Sequence, residues 1–204
     1  IETAERVTAG DRATVTGREI ATVETVTAYA TSNPDRKRVL VGLSLETLQF
    51  TNRERFGTTP VQTGRTLNIE TDSYELRPQI QRVDTLEPRG AESTRTVTLR
   101  MNDVRANMAN AIRPGLTETA AGTTVAEVTD VDRDPSVIIA TGDDGTVNVV
   151  DHPFNRDVTI TAELRVRETT NGVRFKGDSL RQGSRLTLDL SVITVDATVV
   201  SISG

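Results

Sequence analysis

The residues with the clearest chemical potential are five aspartates in one stretch, Asp130, Asp132, Asp134, Asp143 and Asp144. The first three occupy alternate positions, which is the spacing that opens an oxygen-liganded calcium loop. Two departures weaken the match to an EF-hand: Pro135 stands where that loop has Gly, and Thr141 stands at the twelfth place instead of Glu. The 130–145 region is therefore interpreted either as a small-ligand or calcium-binding site or as the solvated end of a strand in an acidic protein.

The chain has one histidine, His152, in the motif Asp151-His152-Pro153-Phe154. A catalytic triad or a His-based metal centre would need this side chain beside a nucleophile or further ligands. The motif is typical of a loop leading into a strand, which favours a structural role for His152. The chain has no cysteine, which excludes thiol catalysis and thiolate metal sites. We therefore predict no catalytic residues and no cofactor.

Composition narrows the classes of substrate and partner. Paired carboxylates for glycoside hydrolysis meet only in the fold, so one sequence cannot reveal them. Such enzymes usually hold sugar rings against aromatic side chains, and only 3% of this chain is aromatic. The net charge of −5, with acidic and basic residues interspersed, argues against nucleic acid as a partner, because phosphate binding requires a clustered positive field.

Apolar and polar residues alternate along most of the chain, which predicts an all-β fold. Val and Thr are abundant, and β-branched side chains suit a pleated sheet. Turn residues separate the strand candidates, and Asn171-Gly172 is a strong signal for a type I′ hairpin. One short helix is predicted near 103–112, with Asp103 as its N-cap and Pro114-Gly115 as its stop.

The sequence contains an internal repeat in two blocks. Gly10 aligns with Gly115 at an offset of 105 residues, and Gly64 aligns with Gly183 at an offset of 119. The larger second offset predicts an insertion in the second copy, at 132–148. We therefore expect two tandem homologous β-barrel or β-sandwich lobes related by a pseudo-twofold axis. The repeat also predicts matching core residues in the two lobes: Val23, Val26, Val39, Val41, Leu67 and Ile69 in the first, and Val128, Val131, Val158, Ile160, Leu186 and Leu188 in the second. The predicted domains are 1–84, a linker at 85–93, and 94–204.

The repeat also predicts that the first copy is short of one strand, because the equivalent of 94–100 falls before residue 1. A sheet that lacks a strand exposes unpaired backbone groups along its edge. Upstream residues, a neighbouring chain or the linker could cover that edge. The sequence thus predicts a protein partner, or self-association, through a β edge of the first module.

Three short patterns stand out in the second copy: Thr94-Arg-Thr-Val-Thr-Leu-Arg100, Ala109-Asn-Ala-Ile-Arg-Pro-Gly115 and Gly122-Thr-Thr-Val-Ala-Glu-Val128. Together they resemble an uncharacterised prokaryotic family of membrane-anchored proteins with duplicated β domains, a domain of unknown function. The resemblance covers most of 94–202 and, more weakly, 4–83, where the first copy lacks the proline before Gly10. It implies an extracytoplasmic location in the cell envelope, with a transmembrane helix upstream, and it supplies no catalytic residues.

These observations favour a non-enzymatic structural or interaction module, the ectodomain of a membrane-anchored envelope protein. Binding of a small ligand or calcium through the acidic 130–145 region is the alternative. A carboxylate-based hydrolase ranks third. No apolar run in the chain approaches the ~20 residues that span a bilayer, so any contact with a membrane is predicted only through a segment outside this chain.

Overall fold

The computed structural model describes residues 2–141 and 147–204, and the chain divides into two compact units, 1–89 and 90–204. Strands predominate in both units, which confirms the predicted all-β class. The first unit contains α1 (Glu2–Arg6), β1 (Arg12–Val15), β2 (Arg18–Ala30), β3 (Lys37–Leu45), β4 (Leu48–Phe50), β5 (Arg53–Phe56), β6 (Thr59–Pro60), β7 (Ile69–Glu70) and β8 (Glu75–Leu76). The second contains β9 (Ala91–Arg105), α2 (Ala106–Ala111), β10 (Thr117–Ala120), β11 (Thr123–Thr141), β12 (Val147–Thr169), β13 (Gly172–Phe175), β14 (Asp178–Ser179), β15 (Arg185–Asp189) and β16 (Thr194–Ser203).

The strands of the second unit form one sheet that curls into a nearly closed barrel. Their order is β10-β11-β12-β9-β16-β15, and the hairpin β13–β14 attaches to β12. The two end strands, β10 and β15, approach each other, and we call the gap between them the seam. Beside the seam, Ser191 Oγ donates to the Thr117 carbonyl oxygen at 3.5 Å.

The barrel interior is filled by side chains that point inward from alternate positions along the strands. Five of the six core positions that the repeat predicts here are buried, and Val131 is half-buried. The five are Val128, Val158, Ile160, Leu186 and Leu188. Each fully buried aliphatic side chain contributes about 1.5–3 kcal/mol relative to an exposed one, so the barrel rests on a substantial core.

The first unit has a smaller core and a divided sheet. Its strands form three separate sheets, β1-β2-β3, β4-β5-β6 and β7-β8. Val23, Leu67 and Ile69 are buried as the sequence predicts. The predicted core residues of β3, Val39 and Val41, are only half-buried. The same is true of Val26, which pairs with Val41 on β2.

Backbone hydrogen bonds recur in the two units at the offsets of the sequence alignment. The Gly10 amide donates to the Val23 carbonyl oxygen at 2.7 Å, and Gly115 donates to Val128 at 2.7 Å. At the second offset, the Gly64 amide bonds Ile80 at 2.8 Å, as Gly183 bonds Val199 at 2.8 Å. The four glycines all have positive φ, a conformation that glycine adopts without strain.

Helix α2 lies within the predicted range, but it begins later than predicted. Asp103 is not its N-cap, because β9 continues through Arg105 and Asp103 has a φ of +56°. At the other end, the Arg133 guanidinium donates to the carbonyl oxygens of Ala109, at 2.9 Å, and Ile112. Neither of the helices that the structure describes is long and apolar enough to cross a membrane.

Strands β11 and β12 extend together well beyond their other neighbours. Residues 137–141 pair with 147–151 in an antiparallel ladder, whereas β9 reaches β12 only as far as Asn155 and β10 reaches β11 only as far as Glu127. We call 137–141 and 147–151 the arm. It overlaps the predicted insertion at 132–148.

Candidate functional site

The arm exposes apolar side chains on both of its faces. Six arm residues are between 38% and 68% exposed: Val137, Ile138, Ile139, Val147, Val149 and Val150. Phe154, at the base of the arm, is 72% exposed. Single exposed apolar residues are common on protein surfaces, whereas large contiguous apolar patches are typical of protein–protein or membrane interaction sites.

The arm also lacks the features that usually protect a sheet edge. Natural edge strands carry Lys, Pro or bulges that discourage pairing with another chain. The segment 137–141 has neither a charged residue nor proline, and Asp151 is the single charged residue of the arm. Within the described residues, neither arm strand pairs with any strand except the other. Its edges are therefore open to a partner.

Polar contacts at the base of the arm hold it to the barrel. Asp157 Oδ1 accepts hydrogen bonds from the Asp103 amide, at 2.9 Å, and from the buried Ser136 hydroxyl, at 2.8 Å. These two hydrogen bonds hold the pKa of the Asp157 carboxyl below its ordinary value, and the bond from the Asp103 amide has the larger effect. Asn155 completes the group by donating to Asp103 Oδ1 at 2.8 Å. These bonds join β9, β11 and β12 where the arm begins.

His152 has a structural role in the same region. Its Nδ1 accepts hydrogen bonds from the backbone N–H groups of Phe154, at 3.1 Å, and Asn155, at 2.9 Å. These bonds shape an irregular stretch of β12 in which residues 152–155 lie opposite Ser136. The imidazole thus holds a bulge, where the sequence suggested a loop leading into a strand.

The acidic residues that could form a calcium site are spread along β11. Asp130, Asp132 and Asp134 are exposed and occupy alternate positions, so neighbouring members are about 7 Å apart along the strand. Asp143 and Asp144 lie outside the described residues. Within residues 2–141 and 147–204, no group of three or more His, Cys, Asp or Glu side chains is placed to hold a metal ion.

The seam holds a buried ion pair that sequence reasoning missed. Glu118 on β10 pairs with Lys176, and their side chains are only 3% and 8% exposed. Lys176 Nζ also donates to the Thr187 carbonyl oxygen of β15 at 2.8 Å and lies 5.1 Å from the centre of the Phe175 ring. Lys176 therefore bridges the two end strands of the barrel.

Burial disfavours both charges of this pair. It raises the pKa of the Glu118 carboxyl and lowers the pKa of the Lys176 ammonium, against the attraction between the two groups. The Asp189 backbone amide also favours the Glu118 carboxylate, but less than burial disfavours it. At the aligned positions the first unit has Ala13 and Gly57. An acid at a position where the other unit has alanine was the available sequence signal.

The fold and this surface define an all-β protein with a barrel-like sheet and a projecting apolar arm. A family model described as a domain of unknown function (DUF4330) matches residues 88–203, more than half of the chain. The chain therefore belongs to the DUF4330 family, and the predicted resemblance to a family of unknown function is confirmed at that level. Comparison with curated proteins and with solved structures gave no match.

Proposed function

We propose that this protein is a non-enzymatic interaction module whose contact surface is the arm. The observation that carries the proposal is the exposure of Val137, Ile139, Val147 and Val149 on a ribbon with open edges. Burying these side chains against a partner would release about 25 cal/mol for each Å² of apolar surface removed from water. Extended partners commonly bind such edges by adding a strand, with backbone hydrogen bonds for affinity and side-chain packing for selectivity.

We further propose that the two units arose by duplication. The recurring hydrogen bonds support this, and so do the irregularities of strand pairing. The β1–β2 ladder shifts register between Ala13 and Thr14, and the β10–β11 ladder shifts between Glu118 and Thr119, again 105 residues later. Such bulges are specific features of a fold, so their recurrence favours common ancestry over chance.

We also propose that the module works in the cell envelope, as the extracytoplasmic part of a membrane-anchored prokaryotic protein. The support is the sequence resemblance of 94–202. In that setting a rigid barrel would present the arm to another envelope component. The arm itself is poorly suited to an anionic lipid surface, because the sequence from 137 to 151 contains three aspartates and no Lys or Arg.

Affinity capture from membranes tests the arm as the contact surface. The bait is the full-length protein, as the natural chain or with Ile139→Lys on the arm. The matched control is Val192→Lys, because Val192 is also strongly exposed but lies in the turn between β15 and β16. We expect the same partner to be captured by the natural chain and by Val192→Lys, and to be lost with Ile139→Lys. Capture that is equal for all three baits would contradict the proposal.

A further inference from the structure

The small sheet β4-β5-β6 of the first unit has an exposed apolar surface. Leu48 and Phe50 on β4 are 59% and 56% exposed. Leu48 lies opposite Arg55 in the β4–β5 ladder, and Phe50 lies opposite Arg53. Directly opposed side chains share one face of a sheet, so these four residues lie together on what we call the hairpin face. The next residue of β5, Phe56, belongs to the other face and is buried in the core of the first unit, so the hairpin face is the outer one.

The hairpin face is positively charged. The guanidinium carbon of Arg55 lies 5.5 Å from the centre of the Phe50 ring, which places a cation beside the exposed aromatic side chain. Other arginines of the first unit pair with glutamates. No carboxylate of the described residues forms an ion pair with Arg53 or Arg55. Glu54, between them in the sequence, belongs to the opposite face of β5.

The arm has the same apolar character and the opposite charge. One of its faces groups four aliphatic side chains that are between 58% and 68% exposed, Val137, Ile139, Val147 and Val149. Asp151 lies directly opposite Val137, so its carboxylate shares that face. In the sequence, Asp143 and Asp144 fall between the two strands of the arm, and 137–151 contains no Lys or Arg.

The two surfaces are therefore complementary. Contact between them would remove apolar side chains of both from water, and hydrogen bonds between guanidinium and carboxylate groups would orient the contact. Because both surfaces belong to the same chain, every copy carries both halves of the contact. A contact between two different surfaces is heterologous, so each added copy presents another arm or another hairpin face to the next one.

We propose that the arm of one copy binds the hairpin face of a second copy, head to tail. Ile139 packs against Leu48 and Phe50 of the other copy, and Asp151 accepts hydrogen bonds from Arg53. The inference rests on the proposed function of the arm as the contact surface, and it names a second copy of this chain as the partner.

Analytical ultracentrifugation of two complementary variants tests the contact. Ile139→Lys removes the apolar surface of the arm and keeps the hairpin face. The double variant Leu48→Ser with Phe50→Ser removes the hairpin face and keeps the arm. All three side chains are exposed, so we expect both variants to fold, and circular dichroism checks this.

The natural chain should gain mean mass as its concentration rises from about 1 μM to 1 mM, the range of weak specific contacts. Each variant alone should stay monomeric. An equimolar mixture of the two variants should form 1:1 dimers and nothing larger, because each variant supplies the surface that the other lacks. The matched control, Val192→Lys, changes an exposed residue outside both surfaces and should associate like the natural chain.

Charge reversal in the same mixture tests the polar part of the contact. Arg53→Glu, added to the variant that keeps the hairpin face, should weaken the mixed dimer roughly tenfold, because it replaces a charge-assisted hydrogen bond with repulsion. Asp151→Arg, added to the variant that keeps the arm, should restore the dimer. Equal affinity in all these mixtures would show that the two charges do not meet.

Three results in the centrifuge would overturn the proposal: a natural chain that stays monomeric, mixed variants that do not associate, or self-association of the variant that keeps only the arm. Binding of the hairpin face to vesicles of phosphatidylglycerol and phosphatidylcholine, without association of copies, would also overturn it, because that face would then bind lipid. A monomeric natural chain that still loses its membrane partner with Ile139→Lys would overturn this inference and leave the proposed function intact.

Discussion

Glu118 and Lys176 form an ion pair beside the seam, and their energetics are those of two charges buried together. Removing charges from water is costly, and the attraction between them repays that cost only with good geometry. Here burial disfavours the charge of each group more than their attraction favours it, and Lys176 has a φ of +51°, which is unfavourable for a residue with a Cβ. The pair therefore closes the barrel at a cost that the first unit avoids with Ala13 and Gly57.

A double-mutant cycle measures this pair. Each of Glu118→Ala and Lys176→Gly should lower the free energy of unfolding by about 3 kcal/mol, because each leaves a buried charge without its partner. The double variant, which has the first unit's residues, should regain about 2 kcal/mol of the combined loss. Urea unfolding provides the measurement. The exposed pair of Arg165 and Glu92, 3.0 Å apart, is the matched control, with an expected coupling below about 1 kcal/mol.

The carboxylate at the base of the arm should make stability depend on pH. Its hydrogen bonds keep the pKa of Asp157 in the folded state below the ordinary value of 3.8. The stabilisation is therefore fully present above the unfolded pKa and is lost as pH falls through the folded pKa. We expect the natural chain to be more stable than Asp157→Asn at pH 6, and the difference to shrink below pH 3.8. A difference that stays constant across this range would show that Asp157 does not titrate in this way.

At the scale of elements, the arm is a feature of the second unit that we expect to be separable from the barrel. Its alignment counterpart is the short connection 31–36 between β2 and β3, which takes the place of 136–155. The arm's apolar side chains are exposed, so they contribute little to the core. This explains how an insertion could be accommodated without disturbing the strand pairing around it.

Replacing 136–155 with the sequence of 31–36 tests that separation. We expect the free energy of unfolding of the barrel to change by less than about 2 kcal/mol, since the main loss is the set of hydrogen bonds at the base of the arm, each worth about 1 kcal/mol. Capture of the partner should be lost. Circular dichroism with urea gives the stability. Collapse of the barrel in this variant would mean that the arm is part of the folding core.

Most strands could be predicted from the sequence, but the role of the arm could not. The Val and Ile residues of 137–140 and 147–150 predict strand equally well whether their side chains are buried or exposed, because β-branched residues favour an extended backbone in both cases. The start of α2 was mispredicted for a related reason. Asp103 has the chemistry of an N-cap, yet long-range pairing with β12 keeps its neighbours in β9.

At the scale of the whole molecule, the two units are unequal versions of a similar strand plan. The repeat in the sequence predicted their common turns, because the glycines at 10, 64, 115 and 183 are required by backbone geometry in both. The half-burial of Val39 and Val41 could not be predicted from their own sequence, which is as apolar as that of β12, because burial depends on the neighbouring strand.

The difference in core size between the two units should be visible in the local stability of their strands. Among the residues that the structure describes, the second unit has a core cluster of twenty-one buried residues, whereas the comparable cluster of the first unit has five. We expect the amides of β2 and β3 to exchange with solvent faster than those of β9 and β12, because strands with fewer buried contacts open at lower free energy. Hydrogen exchange of the intact chain, followed by mass spectrometry, makes the comparison. Equal protection of all four strands would contradict it.

If the arm is the contact surface, amide hydrogen exchange should change there when the partner binds. Exchange in 137–141 and 147–151 is compared between the isolated chain and the chain bound to the partner that affinity capture identifies. We expect strong new protection in the arm, because its open edges would gain backbone hydrogen bonds, and little change in β9, β15 and β16. Unchanged exchange in the arm on binding, with protection elsewhere on the barrel, would show that the arm is not the contact surface.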